Sequence, residues 1–474
     1  MTKTVKIAVA VAASFALAGC STLGTGKTSP DLDPATVTTP AAFALTSDVV
    51  AQDRKTLDYL LPIEDPAFTT LRAIAEAGAP TLAAALARID AARAAADGAN
   101  ANRLPSIAAD GSVSRTRINP DSFGTNLPPG ISIDRNQTSY GANIAANWDI
   151  DIFGGLRASA RAATIRIDAA TADAAAVRLA LVSAIAANIV DWRTLQNRAV
   201  VLQEDLASAE NLMRLTEERA RAGIAPGLDA VQAASLIADA RSRLAALPGE
   251  RAVIVGALVT LTGKDTATIL ESLKSDPAET DAPKPPLSSP SDMLRARPDV
   301  AAAEARLAAA DADIAAAAAE RFPKITLSGA IGLLSFALGD LFSNDSLVGS
   351  LGAGIAGPLL DFGRVGAQID QSKANAREAF ASYRGAVFSA LGETETAYGQ
   401  VASIDAEIIS LMAQEKLEED AEYLLGIRYR NGLSDFRDVL NARRTLNTTR
   451  TQVAIANGRA LRARVALWQA LGGS

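Results

Sequence analysis

The chain has 474 residues, 49% of them hydrophobic and only 4% aromatic, with a formal net charge of -7. It contains no histidine and one cysteine, which leaves almost nothing from which to build a disulfide, a metal centre or histidine-based acid-base chemistry. The acidic balance argues against nucleic acid as a partner, because phosphate binding needs a basic face. Length alone suggests about three ordinary domains, but the patterns along the chain fit elongated layers better.

Residues 1–19 read as a secretory signal: Lys3 and Lys6, an apolar run over 7–17, then Leu17-Ala18-Gly19 ahead of Cys20. The apolar run is too short to cross a bilayer as a mature helix. The Leu17-Ala18-Gly19-Cys20 end resembles a bacterial lipobox. That resemblance implies that Cys20 becomes the first mature residue and carries diacylglycerol and a fatty acyl chain, with no other cofactor expected. An ordinary signal with a chance cysteine is the alternative. Ser21, in place of an aspartate, points to the outer membrane. Loss of Lys3 and Lys6 takes the formal charge from -7 to -9. Residues 20–65, rich in Thr, Pro and Asp, read as an extended tether with little core of its own.

The remainder is duplicated. Residues 80–111 align without gaps on 298–329 at an offset of 218, matching Pro80 with Pro298, Arg88 with Arg306, Arg103 with Arg321, Pro105 with Pro323, Ile107 with Ile325 and Gly111 with Gly329. Further on, Gly154 matches Gly363 and Arg219 to Ile224 match Arg428 to Leu433, now at an offset of 209. The first copy therefore has the longer loop between Gly111 and Gly154. The expected repeats are 66–273 and 291–474, joined by a proline-rich linker over 274–290.

Each copy is expected to run short helix, two strands, very long helix, turn, short helix. The helices are predicted over 68–102, 156–222 and 228–262 in copy one, and over 291–321, 364–430 and 435–471 in copy two. At about 1.5 Å per residue a helix over 364–430 is a rod of roughly 100 Å. The two short helices sum to about its length, so they are expected to stack end to end. Phe380, Tyr383, Val387, Leu391, Tyr398, Val401, Ile408 and Met412 recur by threes, fours and sevens and define one apolar seam. Val182, Ile185, Ile189 and Trp192 do the same in copy one, and a sustained repeat near 3.5 predicts left-handed coiled packing.

Strands are predicted over 105–118, 140–152, 323–334 and 347–359. In the second, Tyr140, Ala142, Ile144, Ala146, Trp148, Ile150 and Ile152 share one face while Asn143, Asn147, Asp149 and Asp151 lie on the other, the alternation of a transmembrane strand. Four strands cannot close a barrel, and open edges in lipid leave backbone groups unsatisfied at several kcal/mol each. Three chains give twelve strands and an aqueous lumen, whereas eight strands would be nearly filled by side chains. A homotrimer follows.

The lipobox, Arg297-Pro298-Asp299-Val300 with Ala303-Glu304, Arg321-Phe322-Pro323, and the paired tips Ala222-Gly223-Ile224 and Asn431-Gly432-Leu433 together resemble the TolC-type outer-membrane factors in their NodT/OprM-like lipoprotein branch. The resemblance covers essentially the mature chain. It implies an α+β membrane protein in which a trimeric 12-strand β-barrel, set in outer-membrane lipid, continues into a 12-helix tunnel through the periplasm. It also implies solutes delivered by an inner-membrane RND-type pump through a periplasmic adaptor, with Gly223, Ile224, Gly432 and Leu433 as adaptor-docking tips.

After the second tip, Arg437, Asp438, Asn441 and Arg444 become candidates for the periplasmic constriction, with Arg437, Asn441 and Arg444 on one helical face. In similar proteins an acid stands where this chain has Asn441, so the entrance is expected to be held by hydrogen bonds and arginine-carboxylate pairs using Asp435 or Asp438. The equivalent positions in copy one are Leu228, Gln232 and Ser235, all uncharged. Three other readings remain: a duct for protein secretion, a coiled-coil lipoprotein without a pore, and an enzyme using Asp149 and Asp151. No base, nucleophile or metal ligand accompanies those two carboxylates.

Overall fold

The computed structural model describes residues 32–45, 57–117, 119, 135–224, 226–275 and 282–473; the signal segment and Cys20 lie outside them. Copy one is built from α1 (Pro66–Gly78), α2 (Pro80–Ala101), β1 (Ser106–Arg117), β2 (Asn136–Ile150), α3 (Gly155–Arg221), α4 (Gly227–Thr262) and the short α5 (Thr266–Ser272). Copy two comprises α6 (Pro290–Ala296), α7 (Pro298–Ala319), β3 (Lys324–Ser335), β4 (Leu347–Ala356), α8 (Arg364–Arg430) and α9 (Phe436–Ala470). The long helices α3 and α8 each have 67 residues. The order is the expected one with one correction: the first helix of each copy is split. Pro80 and Pro298 start new helices, and the residues before them, Ala79 (ψ 129°) and Arg297 (ψ 119°), are extended, the conformation that a following proline favours, although Pro248 is accommodated inside α4.

The chain divides into two compact units. One contains Asp90–Ala169 and Glu304–Ala381 and carries the sheet. Its four strands are all antiparallel in the order β1-β2-β3-β4. Ile107 faces Ala146, Ile144 faces Ile331 and Ile325 faces Ile355, so one apolar face runs across all four strands. The other face holds Asp110, Asn143, Asn147, Thr326 and Ser328 in the same register. Gly332 lets the Asn143 side chain lie flat on it, since a Cβ there would meet Asn143 Oδ1 at 2.1 Å. β1 and β4 are the two edges, and both are exposed from end to end.

The other unit contains Val37–Ile89, Ala170–Ala303 and Ser382–Ser474 and is helical. Its main core gathers Phe68, Leu71, Ile185, Ile189, Leu258, Ile269, Met293, Leu467 and Trp468. The apolar seams largely meet expectation: Val182, Ile185, Ile189 and Trp192 are buried, as are Val387, Leu391, Tyr398 and Val401, but Met412 is 56% exposed. The stacking of short helices is also present. A Cβ on Gly263, just past α4, would sit 3.1 Å from Pro80 at the start of α2, and one on Gly472, just past α9, 2.8 Å from Ala296 at the end of α6. Both glycines are left-handed, at φ 66° and 93°, and stand 209 apart, an equivalence that the sequence comparison missed.

The described residues of the tether pack into the core of this unit: Phe43, Leu60 and Leu61 join the main cluster. Phe43 packs on Tyr398 with ring centroids 5.6 Å apart, and Glu395 accepts the Ala44 and Leu45 N–H groups at 2.6 and 2.9 Å. Tyr398 of the seam and Glu395 one turn before it on α8 thus clasp this segment. The proline-rich segment is pinned as well. Tyr398 Oη donates to Pro286 O at 2.8 Å, and the 2%-exposed Arg464 donates to Pro283 O and Asp405.

Candidate functional site

The two tips are built alike. At the end of α3, Gly223 (φ 72°) lets Ile224 N–H reach Arg219 O at 3.0 Å and Gly223 N–H reach Ala220 O at 3.0 Å. At the end of α8, Gly432 (φ 73°) repeats this with Leu433 to Arg428 at 2.8 Å and Gly432 to Tyr429 at 3.0 Å. This is the glycine-terminated helix end in which a left-handed residue closes the last carbonyls. Ile224 and Leu433, the residues just beyond, are 65% and 68% exposed. All four expected tip residues are thus presented in one geometry, twice.

The tips are tied together by a residue that sequence reasoning did not single out. The Arg219 guanidinium donates to Tyr429 O at 3.1 Å and to Arg430 O at 3.4 Å, and lies 4.6 Å from the Tyr429 ring centroid. Tyr429 packs in turn on Phe436, centroids 5.6 Å apart, inside a small core with Leu236, Ile237, Val439 and Leu440. Beside them Asp229 is pushed above the usual carboxylate range by burial and by the neighbouring Asp435, while Arg219 and Arg437 pull it back. The repeat aligns Arg219 with Arg428, so the sequence does not distinguish them; in the structure the Arg219 guanidinium lies over Tyr429.

Arg437, Asp438, Asn441 and Arg444 are all exposed on α9. Asp435 caps α9 by accepting the Arg437 backbone N–H at 3.2 Å, and no arginine-carboxylate pair within 4 Å joins Arg437 to Asp435 or Asp438 within the chain. Arg444 donates to Ser235 Oγ at 3.4 Å. Ser235 is its own equivalent in copy one, so the two repeats face each other at this position. The arginine that does find a carboxylate is the adjacent Arg443, half-buried and paired with Glu422 on α8.

One turn further along α9, Asp205 of α3 is buried at 2% exposure. With its amide oriented to donate, Asn447 Nδ2 lies 2.9 Å from Asp205 Oδ1. Burial raises this carboxyl to about 6 despite the pull of Arg450, Arg443 and Arg243. Arg450 is committed to Glu419 at 2.6 Å and Glu415 at 3.5 Å, so it neutralises Asp205 only in part.

At the junction of helix and sheet, Asp151 accepts the Leu156 and Arg157 N–H groups and starts α3, and Asp361 does the same for Gly363 and Val365 at α8. Asp151 is therefore a helix cap. Trp148 Nε1 donates to Arg103 O at 2.9 Å and, with Leu104 and Arg157, lines an open groove of about 660 Å³. Among the described residues no cluster of His, Cys, Asp or Glu could hold a metal ion.

The chain thus joins a small antiparallel sheet with one apolar face to two 67-residue helices that each end at a glycine tip. The chain matches the outer membrane efflux protein family model over residues 71–264 and 289–473, and it belongs to that family. It is 31% identical over 395 residues to the pyoverdine export outer membrane protein OpmQ of Pseudomonas aeruginosa, covering 83% of this chain and 82% of that one. Nodulation protein T of Rhizobium leguminosarum bv. viciae is 29% identical over 328 residues, covering 69% and 68%. Among solved structures, the outer-membrane channel OprN superposes with a TM-score of 0.83 at 29% identity, covering 93% of this chain and 98% of that one. The open state of the MtrE channel of Neisseria gonorrhoeae gives 0.78 at 26% identity, covering 92% and 96%.

Proposed function

We propose that three copies of this outer-membrane efflux protein close a 12-strand barrel in the membrane and a 12-helix tunnel in the periplasm, and that the assembly passively conducts solutes handed over by an inner-membrane RND-type pump. The observation that carries this reading is the sheet. Its four strands are antiparallel, the outer sides of β1 and β4 have no strand beside them among the described residues, and one of its faces is continuously apolar. Such edges are tolerated in lipid only when paired. Because the strand number is even, β4 of one copy runs antiparallel to β1 of the next, and a head-to-tail contact of this kind closes into a ring.

In this reading Cys20 carries the lipid anchor behind a cleaved segment 1–19. Residues 20–65 lead into repeats 66–273 and 291–474, with 274–290 between them. Gly223, Ile224, Gly432 and Leu433 present paired apolar knobs to a periplasmic adaptor. Arg437, Asp438, Asn441 and Arg444 line the entrance. The tip geometry supports this assignment because both tips expose an apolar residue on a rigid glycine-closed helix end. The entrance opens when the contact between Arg219 and Tyr429 is broken by the docked adaptor. Relatives that export pyoverdine or toluene support a small-molecule cargo; its identity is set largely by the pump.

The test is the mass of the detergent-purified protein by light scattering, together with conductance in planar bilayers. Three chains per particle and stepwise ion conductance are expected. A water-soluble single chain with no conductance overturns the reading.

A further inference from the structure

The internal repeat carries a second message, because the way copy one meets copy two inside a chain can be carried over to the way copy two meets copy one of the next chain. Inside the chain, β2 pairs with β3. Phe153, just past β2, stacks on Phe322, just before β3, with centroids 4.7 Å apart and planes at 10°. A Cβ on Gly155 would lie 3.0 Å from Ala319 Cβ, Arg166 of α3 pairs with Asp313 of α7, and the charge of Arg161 acts on Asp311. Ala309, Ala312 and Ala319 form one buried small-residue face of α7.

The offsets of 209 and 218 translate each of these positions without gaps, since α3 and α8 have equal lengths, as do α2 and α7, and β1 and β3. Phe153 becomes Phe362 and Phe322 becomes Leu104. These two are half-buried partners inside the chain, yet their equivalents are 92% and 66% exposed. Ala309 and Ala312 become Ala91 and Ala94, both exposed. Arg161 becomes Asp370 and Asp311 becomes Arg93, with the charges exchanged, whereas the ion pair of Arg166 and Asp313 becomes Asn375 and Ala95 and has no charged counterpart. Asp370 and Arg93 are 77% and 62% exposed, each paired inside the chain only with a neighbour three residues away on its own helix, Lys373 at 3.8 Å and Asp90 at 3.2 Å.

We propose that this second set is the contact between copies: Phe362 of one copy packs on Leu104 of the next, in the groove beside Trp148, while Asp370 of α8 faces Arg93 of α2. The proposal rests on the multi-copy reading above and adds its register. Carrying the β2–β3 pairing over places Ile355 opposite Gly111 and Ala353 opposite Val113, which keeps the apolar face continuous from one copy to the next. A slip of one residue would turn that face inward. The exchanged charges give the ring its order. Within a chain the arginine lies on the long helix, and between chains it lies on the short one, so pairing α3 with α2 of another copy sets Arg161 against Arg93, and pairing α8 with α7 sets Asp370 against Asp311. Both wrong pairings are repelled.

The test uses the full-length protein in outer-membrane vesicles. Oxidation of the Phe362→Cys/Leu104→Cys double variant is expected to give a covalent ladder up to three chains. That ladder should exceed the product of either single variant by about tenfold, since thiols whose Cα atoms are more than about 7 Å apart do not bridge. Phe153→Cys/Phe322→Cys is the internal control and should oxidise without any change in chain number. Where the cysteines prevent assembly, charge exchange decides. Arg93→Asp and Asp370→Arg alone should each shift the balance towards single chains by about twofold to fivefold, and the combined variant should restore it. A single-chain wild type overturns the multi-copy reading. A wild type of three chains, with a double-cysteine variant that assembles but gives no ladder or with no restoration by the combined charge variant, overturns this register alone.

Discussion

Asp205 shows what a single residue can conceal. On the sequence it is one acid among many on a long polar-and-alanine helix; in the structure it is nearly sealed from water, and burial raises it from the ordinary carboxyl value of 3.8 to about 6. A carboxyl raised in the folded state binds its proton more tightly there than in the unfolded chain. Its contribution to stability is therefore largest below pH 3.8 and is lost as pH rises to about 6. Asp205→Asn should thus stabilise the protein at pH 7.5 by up to about 2–3 kcal/mol and by almost nothing at pH 4, as read by thermal unfolding in detergent at the two pH values. Arg219 is the other hidden residue. Removing its two carbonyl contacts and its place on Tyr429 should loosen the tips by about 2 kcal/mol, so Arg219→Ala is expected to raise the open fraction of single channels; the proposed placing of Arg437 at the entrance predicts that Arg437→Ala changes single-channel conductance, and an unchanged conductance overturns it. Neither Asp205 nor Arg219 could be singled out from spacing, since what distinguishes them is which neighbour reaches them across a helix interface.

Among elements, the helix ends were legible and the helix interruptions were less so. Gly223 and Gly432 stand where the repeat aligns them, and both adopt the left-handed conformation that glycine tolerates. Gly432→Ala should therefore cost about 1 kcal/mol. Gly426, six residues earlier inside α8, has nothing within 4 Å of where a Cβ would be. There Gly426→Ala should stabilise the helix by about 0.5–1 kcal/mol, and comparing the two unfolding midpoints separates turn geometry from helix propensity. The breaks before Pro80 and Pro298 were missed because alanine-rich segments on either side carry an unbroken helix pattern, and only the extended residue ahead of each proline divides them. The docking of the tether was hidden for a different reason: its few apolar residues are too sparse to show periodicity, yet Phe43 is buried against Tyr398 of α8.

At the scale of the whole molecule the sheet faces carry the membrane argument. Ile331 lies on the apolar face and Asn147 on the polar one. Ile331→Arg should cost about 2–4 kcal/mol and deplete the protein from the outer membrane, whereas Asn147→Lys should leave its abundance unchanged and alter only conductance. Fractionation followed by quantitative blotting distinguishes the two.

The repeat, the four strands with their alternation, the two long helices and the paired tips were determined by sequence alone, because each depends on spacing along one segment and on residues that only one local geometry accepts. The tertiary structure alone decided which arginine clasps the tips, which carboxyl is buried and which apolar side chains remain uncovered. Those properties arise where segments hundreds of residues apart approach each other, and a one-dimensional pattern carries no record of the distance between them.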